Sequence, residues 1–136
     1  MKTVLFVDDE PWLQEPLRCA LEARGYNCLS ATDMTSAMDL LSRTEISVVV
    51  TDIMMPAGAN FPKIESHETG FHFIRHVKHR WPSIPIVCLS VIGDESKLRP
   101  IRSFKISFLR KGEVPLATVV ETIENFAQRG ARAWRF

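Results

Sequence analysis

Ile46-Ser-Val-Val-Val-Thr-Asp52 is the stretch that decides the fold. Its β-branched residues run on without polar alternation, which is the pattern of a strand covered on both faces rather than one with a wet side. Three other apolar runs share its form: VLFV at 4–7, IPIVCL at 84–89 and ISFLR at 106–110. Each ends in polar residues suited to one site: Asp8 and Asp9, then Asp52, Ser90 and Lys111. If these runs are parallel strands, the five side chains emerge at the carboxyl edge, where open α/β sheets hold their ligands. Three carboxylates crowded there resist joint ionisation unless a cation joins them, so the cluster points to a divalent metal beside phosphate chemistry.

Working outward, strand-like and helix-like segments alternate along the chain. Strands are expected at 3–7, 28–31, 46–51, 84–89 and 106–110. Between them, a helix runs from Glu15 to Arg24 with Pro16 in its first turn and Gly25 as its cap, and another from Asp33, its N-cap, to Arg43. A third helix over 71–81 places Phe73, Ile74, Val77 and Trp81 on one face and His72, His76 and His79 opposite. A short polar helix follows from Asp94 to Pro100, and a last one over 115–129 buries Leu116, Val119, Val120, Ile123 and Phe126 before stopping at Gly130. Residues 56–70, with two prolines and two glycines, read as a long loop. Right-handed crossovers then give a flavodoxin-like, doubly wound α/β domain: a five-stranded parallel sheet of order 2-1-3-4-5 with helices on both faces.

Composition narrows the function. The 136 residues suit one domain, and 17 Lys and Arg against 16 Asp and Glu give no reason to expect nucleic acid or an anionic membrane as partner. The first apolar run is too short for a signal-peptide core and none reaches a membrane span, so a cytoplasmic location is expected. Cys19, Cys28 and Cys88, odd in number and set among apolar neighbours, are expected to be buried, reduced thiols. The histidine face, with Arg75, Lys78 and Arg80 nearby, reads as solvated rather than metal-binding.

Taken together, VLFVDDE, VVVTDIMMP, IVCLS and FLRKG resemble the receiver domain of bacterial two-component response regulators, over essentially the whole chain. The resemblance implies a domain over 1–130 with a short tail at 131–136. It makes Asp52 the phosphoacceptor, Asp9 a direct Mg²⁺ ligand, Asp8 a ligand mainly through water, and Met54 a ligand by its backbone carbonyl. Ser90 and Lys111 would contact the phosphoryl group, and Phe108 would be the aromatic switch residue. The implied partners are a sensor histidine kinase or histidine phosphotransfer protein and an output protein. A homodimer through the short helix after Asp94, the fifth strand and the last helix is also an expectation.

Departures from the family pattern carry expectations of their own. Gly112 stands where a proline usually follows the lysine. Val91, after Ser90, narrows access to Asp52, which predicts poor labelling by small phosphodonors. Met54 and Ile92 cannot orient an attacking water, which predicts a long-lived phosphoryl group. The loop at 57–69 is longer than usual and reads either as a docking element or as a solvated insertion, and ARAWRF at the end is undecided. A stand-alone regulator is the expectation, with a fragment of a larger DNA-binding regulator or hybrid kinase as the alternative. A phosphorylation-independent interaction module and a small Mg²⁺ phosphatase stand further back; the phosphatase lacks an aspartate two residues after the acceptor.

Overall fold

In the computed structural model, the described residues are 2–52, 58–59, 69–90, 106–110 and 112–133, with side chains described at all of these except 13, 90 and 129–133. Five strands, β1 (Thr3–Val7), β2 (Asn27–Ala31), β3 (Val48–Asp52), β4 (Ile86–Ser90) and β5 (Ile106–Arg110), form one sheet. All four pairings are parallel, in the order β2-β1-β3-β4-β5. The flavodoxin-like order expected from the sequence is therefore the observed one.

Helices α1 (Glu15–Ala23), α2 (Met34–Arg43), α3 (Thr69–Arg80) and α4 (Leu116–Ala133) cover the sheet, and a 3₁₀ turn over Pro11–Gln14 leads into α1. Two apolar clusters explain why the strands do not alternate. Leu5, Val7, Val49, Ile86 and Cys88 face α2 and α3, meeting Met34, Ala37, Leu41, Phe73, Ile74 and Val77. Their strand neighbours Val4, Phe6, Val48, Val50, Val87 and Leu89 face α1 and α4, meeting Leu17, Leu21, Val120 and Ile123. Successive side chains point to opposite faces, and here both faces are dry.

Local signals set the helix ends. Asp33 caps α2 by accepting from the Ser36 N–H at 2.7 Å. After α1, Tyr26 N–H donates to the Leu21 carbonyl at 3.1 Å and Gly25 N–H to that of Glu22 at 3.0 Å, a Schellman closure with Gly25 at φ 90°.

Several expectations need correction. Helix α3 begins at Thr69, inside the stretch read as loop, because Thr69 lies one turn ahead of Phe73 on the buried face and the small Thr69 and Gly70 pack there. Strand β4 begins at Ile86 rather than 84, since Pro85 has no N–H for the ladder and only accepts, from Val49 N–H at 3.0 Å. Helix α4 runs through Gly130 to Ala133, so a glycine cost of about 1 kcal/mol does not end it. Leu116, in its first turn, is 48 % exposed instead of buried, ahead of the stripe that begins at Val119. Cys19 is exposed, being turned about 200° from Leu17 on α1, whereas Cys28 and Cys88 are buried as expected. The polar helix after Asp94 and most of the 56–70 loop lie outside the described residues.

Candidate functional site

Strand β1 delivers the first two acids. Its ladder with β2 continues one residue past Val7, through Asp8 N–H donating to the Ala31 carbonyl at 3.1 Å, which fixes the Asp8 backbone. Strand β3 lies alongside, with Val7 level with Thr51, so Asp52 arrives one step further at the same edge as Asp8. One carboxylate oxygen from each of Asp8, Asp9 and Asp52 lies within 4.8 Å of the other two. Asp8 is 2 % exposed, Asp52 half-buried and Asp9 exposed, so the trio forms a graded pocket open at Asp9.

Asp8 is held on both oxygens: Oδ1 accepts from the Glu10 N–H at 3.0 Å, and Oδ2 from the Gln14 side-chain amide at 2.9 Å. Loss of hydration and then the adjacent Asp8 charge push the Asp9 carboxyl above its ordinary value. Crowded carboxylates of this kind suit a hard divalent cation. In an octahedral Mg²⁺ shell with ligands at about 2.1 Å, two directly bound oxygens lie within about 4.2 Å of each other. The observed 4.8 Å limit accommodates two direct ligands and a third acting through water.

Ser90 ends β4 one residue past Leu89, the register partner of Asp52, which puts its backbone at the same edge. Its side chain lies outside the described residues, as do Lys111 and Met54 together with Val91 and Ile92. Arg110, the residue before Lys111, ends β5 level with Ser90 and pairs with Glu113 at 3.2 Å. Gly112 has φ 82°, a conformation closed to proline, whose ring holds φ near −65°; the departure noted in the sequence thus has a backbone cause. Phe108 on β5 is half-buried against the α2 and α3 cluster.

Gln14 was not legible as part of this site. It stands at the first position of the stripe continued by Leu17 and Leu21, 7 % exposed among apolar residues, and a polar residue on a buried helical stripe was the signal available. Trp12, in the same 3₁₀ turn, is 63 % exposed.

A doubly wound sheet with an acid trio at its β1/β3 switch point defines a class of α/β proteins that bind ions and phosphoryl groups at the strand ends. The family model for the response regulator receiver domain matches residues 4–111, and the chain belongs to that family. It is 32 % identical over 129 residues to the probable transcriptional regulatory protein TcrX of Mycobacterium tuberculosis, covering 93 % of this chain and 55 % of TcrX. To the sensor histidine kinase RcsC of Escherichia coli it is 27 % identical over 127 residues, 93 % of this chain and 12 % of RcsC. The chain thus spans about half or less of these relatives. A receiver domain from Clostridium thermocellum superposes with a TM-score of 0.78 at 24 % identity, covering 98 % of this chain and 99 % of that one, a likeness of fold. Receiver domains of this family are phosphoacceptor modules of two-component systems rather than turnover enzymes, and they bind Mg²⁺ through an acidic pocket. Among the described residues no helix is long and apolar enough to cross a membrane.

Proposed function

We propose that this chain takes a phosphoryl group on Asp52 from a phosphohistidine donor and signals through altered protein binding. The gathering of Asp8, Asp9 and Asp52 within 4.8 Å carries the reading. A carboxylate oxygen of Asp52 attacks phosphorus, an O–P bond forms as the P–N bond breaks, and the imidazole departs with the bonding electron pair. Asp9 and Asp52 would hold Mg²⁺ directly and Asp8 mainly through water, with the Met54 backbone carbonyl as a further ligand. An ion bound there would neutralise charge on the phosphoryl oxygens. Lys111 contributes a second positive charge and Ser90 a hydroxyl donor, while Phe108 packs against the core and reads the change.

The domain spans 1–130 with 131–136 as a tail, works in the cytoplasm and does no more catalysis than its own phosphorylation and dephosphorylation. Its donor is a sensor histidine kinase or a phosphotransfer protein, and a homodimer through β5, α4 and the segment before them is its candidate assembly. Phosphotransfer from a radiolabelled phosphohistidine protein tests this directly. Label should enter wild type in Mg²⁺, stay out of Asp52→Asn, and stay out of wild type in excess chelator. Equal labelling of Asp52→Asn would overturn the assignment.

A further inference from the structure

Gln14 sits where an apolar residue would gain burial. The residue is 7 % exposed, on the stripe that α1 continues with Leu17 and Leu21, both in the α1/α4-side core. Its amide Nε2 donates to Asp8 Oδ2 at 2.9 Å, a buried side-chain contact across six residues. On the other oxygen the Glu10 N–H donates to Oδ1 at 3.0 Å. Donors on both oxygens oppose rotation of the carboxylate. The donor is also neutral. A lysine or arginine in its place would bring a positive charge of its own, whereas an amide fixes Asp8 and adds none.

We infer that Gln14 is a positioning residue that holds the Asp8 carboxylate toward Asp9 and Asp52 and thereby sets the divalent-cation affinity of the pocket. The inference rests on the metal-binding reading of that pocket given above. Hydrogen-bond partners behind metal ligands commonly change affinity by about 10–100-fold when removed, and an Asp8 that works through water places Gln14 at the lower end, about tenfold.

Two variants separate positioning from packing. Gln14→Met keeps length and burial but has no donor; Gln14→Asn keeps the amide but is one methylene too short to hold the same contact. Calorimetric titration of the intact chain with MgCl₂ should show both variants binding about tenfold more weakly than wild type. Gln14→Met should melt close to wild type in chelator, and labelling of both by a phosphohistidine donor should recover as Mg²⁺ is raised. A purely structural role would lower the metal-free melting temperature and leave the Mg²⁺ affinity alone. Wild-type affinity in both variants, with Asp9→Asn abolishing the titration, overturns the role of Gln14 and leaves the pocket intact. No uptake of Mg²⁺ by wild type itself overturns the pocket reading, and Gln14's role with it.

Discussion

Asp9 carries the electrostatic strain of the site at its exposed end. Its carboxyl is raised first by lost hydration and next by Asp8, so in the metal-free protein its negative charge works against the native arrangement. Asp9→Asn should therefore raise the metal-free melting temperature at neutral pH while abolishing the response to Mg²⁺. Calorimetric scans with and without the ion check both halves; a variant that melts lower and still responds would contradict this account. The acid trio was legible because each acid ends an apolar run, and strand ends meet at one edge whatever the loops do. Gln14 was hidden for the opposite reason. Its partner Asp8 is six residues away across a 3₁₀ turn, and neither hydrophobic period nor motif spacing encodes that return contact.

Elements were read correctly where a local signal and the packing agreed. The Asp33 cap of α2 and the Gly25 stop of α1 are two such places. Alanine at residue 25 would meet no atom within 4 Å, so Gly25→Ala should cost only its left-handed conformation, about 1 kcal/mol and about 3–5 °C in melting temperature. Tertiary packing overrode a punctuating residue at Gly70, buried within α3, and α4 also continues through Gly130. Cysteine placement follows the same logic. Cys28 on β2 is buried, and desolvation first, then the Glu22 charge, push its thiol up to about 11, while Cys19 on α1 is exposed. With a folded value above the unfolded one, the protonated thiol's contribution is fully present below pH 9 and is lost as pH rises through about 11. A maleimide at pH 8 should label Cys19 in the native protein, and Cys28 and Cys88 only after denaturation, as peptide mass mapping would reveal.

At the scale of the whole molecule, one sheet separates two cores and carries the acid pocket on its edge, so stability and ion binding should be nearly independent quantities. Ile123 is fully buried in the cluster between the sheet and α1 and α4, and it is not among the residues that form the pocket. Ile123→Ala should cost about 2–5 kcal/mol through lost burial and the cavity left behind. Saturation with Mg²⁺ acts by mass action instead, stabilising the native state by about 2.7 kcal/mol when the ion stands at a hundred times its dissociation constant. For sites that share no contacts these two effects add to within about 0.5 kcal/mol. Urea unfolding of wild type and Ile123→Ala, each with and without Mg²⁺, completes the cycle. An equal increment from Mg²⁺ in both proteins is the expected result, because β1 and β3, paired directly within the sheet, hold Asp8 and Asp52 in register. A markedly smaller increment in the variant would mean that the α4 face helps set the pocket, and that the sheet couples its two cores to its edge.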